Sequence, residues 1–303
     1  MRVALLAGGF GGARFARALA ESGVEFTAIV NVGDDVEVLG LHVSPDLDSV
    51  LYTLAGVFDE ERGWGRKDET WSMLESAAEL GHDGWFRLGD RDTALHLIRS
   101  EALRRGEPLS AITRRLTAAF GIDAALVPAT DDRLRTWVET PAGSFPFQEW
   151  YVARGHGDEV DGVRFEGAGE ARPAPGVLEA LAAADTIVIA PSNPFLSVGP
   201  ILAVPGIRSA LEGRSVPAVA VSPLIGGKTV KGPADRMLAG LAGGTSPAHV
   251  AACYAGLIDA LVIDEADATG AEAPVQLVVT RTLMDGEEAR RRLVEAALSV
   301  PVA

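Results

Sequence analysis

Apolar residues along the chain change between short continuous runs and three- or four-residue spacings, which predicts strands that alternate with helices. Continuous β-rich runs are typical of strands, and the spaced patterns, several of which end at glycine, are typical of helices. The predicted strands are residues 2–7, 26–31, 185–190, 216–222, 259–263 and 275–280. The predicted helices are residues 13–22, 175–183, 199–211, 233–242, 247–257 and 286–298.

Two stretches between these elements have other patterns. Residues 68–120 hold three amphipathic segments that each end at glycine, which predicts a helical subdomain. Residues 124–165 form strand-like runs with a hairpin near Pro141-Ala142-Gly143. The predicted fold class is therefore α/β, a Rossmann-like, doubly wound and mostly parallel sheet with a helical insertion. The predicted core comprises residues 1–67 and 124–303, and the predicted insertion residues 68–123.

Composition and charge narrow the function classes. The 303 residues are 48% hydrophobic and 23% charged, which is ordinary for a globular protein. A formal net charge of −15 argues against a nucleic-acid partner, because a polyanion would be repelled. A single cysteine excludes an internal disulfide, and no apolar stretch reaches the roughly 18 residues of a membrane span. We expect a cytoplasmic protein with no membrane and no nucleic-acid partner.

The loop after the first predicted strand is rich in glycine. In a sheet of this class, ligands bind beyond the carboxyl ends of the strands. Gly8-Gly9-Phe10-Gly11-Gly12 lacks the third glycine of GxGxxG, because Arg14 occupies that position, and it lacks the Lys-Ser/Thr of a P-loop. Backbone amides at such a helix start can hold a phosphate. The alternative is a tight turn with close helix–strand packing.

Acidic residues follow the second predicted strand. Asp34, Asp35, Asp46 and Asp48 lie within 15 residues. Mg²⁺ sites need one or two carboxylates together with phosphate oxygens. A metal site is favoured here over the alternative of an acidic turn with helix caps.

Two later loops at predicted strand ends carry polar side chains. Ser192 and Asn193 offer a hydroxyl and an amide at a helix start, where both residue types also serve as caps. Two of the chain's three lysines, Lys228 and Lys231, lie among glycines in the next loop. Flexible ammonium groups suit the recognition of a di- or triphosphate.

Aromatic residues collect around the first half of the predicted insertion. Trp64 lies in the glycine-bounded segment RGWGR, and Trp85-Phe86 leads into RLGDRD. Beside Arg87, these rings would offer a stacking surface to a planar aromatic ligand. The alternative is that they belong to the core, as most aromatic residues on helix faces do.

Taken together, these motifs resemble the 2-phospho-L-lactate transferase family, the CofD and FbiA enzymes of coenzyme F-420 biosynthesis. The resemblance spans essentially the whole chain and keeps the family's order of motifs. The segments that carry it are Gly8 to Gly12, NVGDD, GLHVSPDLDSVLYTLAG, RGWG, WFRLGDRD, FQEWYV, APSNPFLSVGPIL and VSPLIGGKTVKGPADRM.

The resemblance implies a Mg²⁺-dependent transferase. In this family the terminal ribityl hydroxyl of the deazaflavin Fo attacks the phosphorus that bears a three-carbon acid, and GMP leaves from the guanosine-diphosphate-linked donor. Asp48 and Arg87 match the family's Fo-binding pattern, and Trp64 and Trp85 would cover the deazaflavin ring. Asp34 matches the metal ligand. Asp34 and Asp48 are therefore the predicted catalytic residues, Asp34 by holding Mg²⁺ and Asp48 by orienting the hydroxyl.

The resemblance also implies a guanosine nucleotide site and a homodimer. The predicted nucleotide-binding residues are Gly9, Gly11, Gly12, Ser192, Asn193 and Lys228. Members of the family transfer either 2-phospholactate, in the archaeal type, or phosphoenolpyruvate, in the actinobacterial type. The segments RGWGRKDETW and FQEWYV favour phosphoenolpyruvate.

Two functions of other classes stay open at this point. A nicotinamide-dependent oxidoreductase would need a complete GxGxxG, which Arg14 interrupts. A non-catalytic nucleotide- or deazaflavin-binding protein would keep the glycine loop and the aromatic residues without needing the aspartates.

Overall fold

Seven parallel strands form the central sheet of the computed structural model, which describes residues 1–300. In chain order the strands are β1 Arg2–Ala7, β2 Glu25–Val30, β3 Val36–Val38, β4 Leu41–Val43, β5 Ala125–Pro128, β6 Arg135–Thr140, β7 Gly143–Pro146, β8 Gly162–Glu166, β9 Thr186–Ile189, β10 Ala218–Val221, β11 Leu224–Ile225, β12 Lys228–Thr229, β13 Ala260–Asp264 and β14 Gln276–Thr280. The central sheet has the order β14-β13-β10-β9-β1-β2-β5. The predicted α/β class with a doubly wound parallel sheet is confirmed.

Helices connect the strands. They are α1 Gly9–Glu21, α2 Pro45–Leu54, α3 Ser72–Glu79, α4 Asp90–Arg104, α5 Leu109–Ala119, α6 Val177–Ala183, α7 Gly199–Leu202, α8 Pro205–Glu212, α9 Ala234–Leu241, α10 Pro247–Ala252 and α11 Glu287–Leu298. Two π-helical turns cover Glu149–Ala153 and Pro194–Val198, and a 3₁₀ turn covers Glu265–Asp267.

The sheet is buried on both faces, which explains why its strands are continuous apolar runs. Side chains alternate along β1: Leu5 faces a core with α1, α2, α4, α5 and α11, and Leu6 faces a second core with α6 to α10. The molecule therefore has three layers, with the sheet between two layers of helices.

The chain between β2 and β5 forms a long crossover connection that contains the β3–β4 hairpin and helices α2 to α5. Helices α4 and α5 contribute Leu95 and Ile112 to the same buried core as β1 and α1. The hairpin predicted at Pro141-Ala142-Gly143 is confirmed as β6 and β7, which join β8 in a three-stranded antiparallel sheet. The division into a core and a 68–123 insertion stays a prediction, and residues 301–303 of that core lie outside the described part.

Three predicted elements differ from the structure. The helix predicted at 199–211 is divided between α7 and α8, because Pro205 has no N–H to continue the first helix. The helix predicted at 247–257 ends with α10 and continues in turns up to Gly256, whose φ is 76°. The apolar run around Trp150 forms a π-helical turn where a strand was predicted.

Within residues 1–300, no single helix is long and apolar enough to cross a membrane. The segments Pro194–Leu202 and Pro205–Glu212, bent by 91°, have the length and composition for a span only as a pair. Their apolar side chains, among them Ile201 and Ile207, belong to the buried core.

Candidate active site

A cleft of about 540 Å³ opens at the carboxyl edge of the central sheet. The chain begins at β1 and builds outward first to β2 and β5 and later to β9, so the strand order reverses between β1 and β9. This switch point is where ligands bind in open α/β sheets. Residues after five strands line the cleft, namely Gly8, Asp34, Ser192, Ser222 and Thr282.

The glycine loop forms the start of α1 at this edge. Gly9 has a φ of 63°, a left-handed conformation that favours glycine. A Cβ atom on Gly11 would lie 1.9 Å from the carbonyl oxygen of Pro191, so only glycine allows the two loops to approach this closely. The Gly9 amide donates to the Asp46 carboxylate, whereas the next amides of α1, those of Phe10 and Gly11, have no partner within the helix and can bind an anion. Gly9 and Gly11 line the cleft, whereas Gly12 packs against Ala7 and does not.

The loop after β9 is joined to the glycine loop. The Ser192 hydroxyl donates to the Gly8 carbonyl oxygen at 2.7 Å. The Asn193 side-chain oxygen accepts from the amides of Phe195 and Leu196 at 2.9 and 3.2 Å and so caps the following π-helical turn. Both residues line the cleft and both fix the loop geometry, and their nucleotide-binding role stays a prediction.

Two buried carboxylates, Asp34 and Asp46, lie together in the cleft. Burial raises the pKa of Asp34 well above its usual range, and the neighbouring charge of Asp46 raises it further. Burial also raises the pKa of Asp46 to about 6, although a hydrogen bond from the Asn31 amide, at 2.9 Å, opposes the shift. The site therefore disfavours two negative charges side by side.

This pair fits a divalent cation. The Oδ1 atom of Asp34 is buried and has no hydrogen-bond partner among the described residues. Within residues 1–300 no group of three or more His, Cys, Asp or Glu side chains could hold a metal ion. Mg²⁺ needs only one or two carboxylates when phosphate oxygens and water complete its shell. Asp34 and Asp46 are therefore the residues that could hold it.

The structure does not bring Asp48 into the cleft. Its carboxylate lies at the start of α2, 5% exposed, and accepts from both terminal nitrogens of Arg99, one of them at 3.0 Å. Burial lowers the pKa of His96 to about 4, so the imidazole beside this pair is neutral at pH 7. Asp46, two residues earlier on α2, lines the cleft instead.

The predicted aromatic residues form one rim of the cleft. Trp64 and Trp85 line it together with Phe86 and Arg87. The Arg87 guanidinium lies 4.5 Å from the centre of the Trp71 ring, so a cation–π contact orients the arginine side chain in place of an ion pair. The structure thus brings together the residues that were predicted for the deazaflavin, with the exception of Asp48.

The two lysines of the loop after β10 have different positions. Lys228 does not line the cleft; its side chain is 80% exposed and its ammonium lies 3.5 Å from Asp235. Lys231 lines the cleft and donates to the Gly63 carbonyl oxygen at 2.6 Å. A nucleotide-binding role for Lys228 stays a prediction that this position does not favour.

Sequence reasoning missed Gln148 and Tyr151, which line the cleft next to the acidic pair. The Gln148 amide donates to the backbone oxygen of Asp34 at 3.2 Å. Burial raises the pKa of Tyr151, and the charges of Asp34 and Asp46 raise it further. The segment was interpreted as a strand, so its polar side chains were not connected with the sheet edge.

Known proteins resemble this chain over nearly its whole length. A family model described as 2-phospho-L-lactate transferase CofD matches residues 3–297. A protein of Streptomyces griseus named phosphoenolpyruvate transferase is 47% identical over 280 residues, which cover 90% of this chain and 88% of that protein. A protein of the same name from Thermobifida fusca is 43% identical over 316 residues and covers 99% of this chain and 98% of its own length.

A solved structure has the same fold. The crystal structure of a member of the UPF0052 family from Bacillus halodurans superposes with a TM-score of 0.65 at 18% identity, and the match covers 97% of this chain and 98% of that one. With the family model matching almost every residue, the chain belongs to the 2-phospho-L-lactate transferase CofD family.

Proposed function

We propose that the chain transfers a phosphoenolpyruvyl group from a guanosine-diphosphate-linked donor to the terminal ribityl hydroxyl of the deazaflavin Fo, releasing GMP and forming dehydro coenzyme F-420-0. Family membership supports the transferase activity. The curated relatives that are 43–47% identical carry the name phosphoenolpyruvate transferase, which supports this acid over 2-phospholactate.

One observation carries the proposal. A single cleft combines two buried carboxylates, the free amides of a helix start and an aromatic rim. Phosphoryl transfer depends on positioning and on neutralising charge more than on covalent help from the protein. A helix start and a cation-holding pair serve the phosphates, and the rim serves a planar ring.

In this proposal Asp34 and Asp46 hold Mg²⁺ in the cleft. The bound ion would offset negative charge on the phosphate oxygens. The Gly11 amide donates to the diphosphate, and Ser192 and Asn193 hold the neighbouring loop in place through their hydrogen bonds.

The acceptor lies on the other side of the cleft. Trp64 and Trp85 cover the ring and Arg87 orients it. The hydroxyl oxygen forms a bond to the phosphorus that bears the acid, the bond from that phosphorus to the bridging oxygen breaks, and GMP leaves with the electron pair. The hydroxyl proton passes to a carboxylate in the cleft or to solvent. Asp48 acts indirectly in this scheme, because its pairing with Arg99 fixes the start of α2 and with it Asp46.

The test supplies the purified protein with Fo, Mg²⁺ and either the enolpyruvyl or the lactyl diphosphoguanosine donor. We expect GMP by chromatography and a product mass that contains the enolpyruvyl group. Absence of GMP with both donors, while Fo still binds, would instead indicate a non-catalytic binding protein. The resemblance also carries the proposal of a cytoplasmic homodimer, and light scattering of the pure protein tests the dimer.

A matched pair of variants tests the acidic site. Asp34→Asn keeps the shape of the side chain and removes its charge, so turnover should fall at least about 100-fold with unchanged Fo binding. Asp123→Asn makes the same change at an exposed position outside the cleft and should match the wild type. Loss of the fold in Asp34→Asn, detected by circular dichroism, would mean that the residue is structural.

A further inference from the structure

Three cationic side chains line the cleft: Arg14, Arg87 and Lys231. In residues 1–300 none of the three lies within 4.0 Å of a carboxylate oxygen, although salt bridges occupy many other arginines of this acidic chain. Unpaired cations inside a cleft are available to an anionic ligand.

Two of these cations contact the same aromatic ring. The Arg14 guanidinium lies 5.1 Å from the centre of the Phe10 ring, and the Lys231 ammonium lies 4.8 Å from it. Arg14 follows Phe10 by four positions on α1, so both side chains lie on one face of the helix. Lys231 reaches the ring from the loop after β12 and uses one of its three donors on Gly63. Within residues 1–300, the Arg14 guanidinium and the other Lys231 donors contact no hydrogen-bond acceptor.

This cationic pair is separate from the acidic pair. Arg14 lies one turn beyond Phe10 along α1, about 6 Å farther from the helix start. Burial alone lowers the pKa of Lys231, with no opposing contribution from a carboxylate. Burial and the charges of neighbouring aspartates raise the pKa values of Asp34 and Asp46, and hydrogen bonds from Asn31, Thr136 and the Gly9 amide oppose this rise. The cleft therefore contains both an acidic pair and two cations that contact Phe10, so it has two places where an anionic ligand group could bind.

We propose that Arg14 and Lys231 form a carboxylate subsite that binds the acid group of the donor. The inference rests on the proposed function, which places the diphosphate at the helix start and at the acidic pair. The donor then has one further anionic group, the carboxylate of its three-carbon acid. A guanidinium presents two parallel N–H donors to a carboxylate, and an ammonium adds a third donor and a charge. Arg14 occupies the position that breaks the dinucleotide motif, and this role gives a physical reason for an arginine there.

The experiment compares a ligand with the carboxylate and one without it. GDP carries the diphosphate alone, and the enolpyruvyl diphosphoguanosine donor carries both groups. Arg14→Gln and Lys231→Gln should each raise the donor KM, or its Kd by calorimetry, at least about tenfold, because a charge-assisted hydrogen bond is lost. The Kd of GDP should stay within about twofold of the wild type.

Controls separate the subsite from general effects. Lys67→Gln and Arg208→Gln remove the same charges from exposed positions outside the cleft and should leave donor and GDP affinity unchanged. Arg14→Lys keeps the charge but loses the two-pronged geometry and should recover part of the donor affinity. Melting curves confirm that each variant is folded.

Two results would overturn the proposal. An equal loss of GDP and donor affinity would place the two cations on the diphosphate, and unchanged affinity for both ligands would show that they bind neither group. Failure of the proposed function is a different result, because the wild type would then release no GMP. The comparison of donor and GDP by calorimetry still tests the subsite in that case.

Discussion

Within residues 1–300, Asp48 is the only carboxylate that accepts hydrogen bonds from Arg99, whose side chain is 2% exposed, and replacing Asp48 by asparagine removes it. The guanidinium would keep two weak contacts, with His96 Nδ1 at 3.3 Å and the His42 backbone oxygen at 3.5 Å. Its Nε atom already has no hydrogen-bond partner in the described part of the chain. Little else in the structure can therefore compensate the buried positive charge.

Breaking a buried ion pair by removing one partner costs about 3–5 kcal/mol. The asparagine oxygen still accepts one hydrogen bond, so the expected loss is at the lower end, about 3 kcal/mol. For a chain of 303 residues, the loss corresponds to a melting temperature lower by roughly 5 °C. Urea unfolding followed by circular dichroism measures the free energy directly, and the slope m should not change.

Two further variants sharpen this measurement. Asp48→Asn combined with Arg99→Met removes both charges and should be more stable than Asp48→Asn alone, with a coupling of about 2 kcal/mol. Glu212→Gln breaks the exposed pair with Arg208 and should change the free energy of unfolding by less than about 0.5 kcal/mol. A stable Asp48→Asn variant that loses turnover at least 100-fold would refute the reasoning and support the catalytic role predicted from the sequence.

Three further perturbations have defined outcomes. Gly11→Ala places a Cβ atom 1.9 Å from the Pro191 oxygen, so we expect urea unfolding to show a loss of about 3 kcal/mol in the free energy of unfolding. Gly169→Ala adds its Cβ atom in open space and should leave the stability unchanged, and equal stability of the two variants would contradict the close approach at Gly11. Burial raises the pKa of Asp92 from 3.8 to about 7, so the wild type loses stability as the pH rises from 4 to 7 and the buried carboxyl must ionise. Asp92→Asn does not ionise, so its free energy of unfolding should rise by up to about 4 kcal/mol relative to the wild type over that range. A difference between the two proteins that does not change with pH would contradict the raised pKa. Mg²⁺ should raise the melting temperature more at pH 7.5 than at pH 5.0, because the pKa of Asp46 is about 6 and protons compete with the ion at the lower pH. An equal rise in melting temperature at both pH values would mean that the ion binds elsewhere.

The central sheet and its edge could be predicted because they depend on local patterns and one topological rule. Continuous apolar runs identified β1 and β2, and the rule on strand ends brought Gly8 and Ser192 to the same place, 184 positions apart in the chain. The π-helical turn at Glu149–Ala153 could not be predicted in this way, because its apolar residues have no strand-specific spacing.

The acidic residues show where a local pattern is ambiguous. Asp46 and Asp48 both lie in the first turn and a half of α2, and side chains two positions apart on a helix point to nearly opposite sides. Only one of them can reach the cleft. The choice depends on Arg99, 51 positions away, and no local signal relates that arginine to α2.

The arrangement of charge in the cleft resolves a conflict between the chain and its proposed substrate. A protein with a formal net charge of −15 repels an anionic donor at long range, and the bare pair of Asp34 and Asp46 would repel a diphosphate at short range as well. A divalent ion on that pair would reverse the local sign, and Arg14 and Lys231, which contact the Phe10 ring, would add attraction in the same cleft. Because both contributions act only within the cleft, screening by salt leaves them largely intact while it weakens the repulsion of the surface. On this proposal the negative surface would lower the affinity for anions in general, and the cleft would favour a ligand that carries a phosphate and a second anionic group.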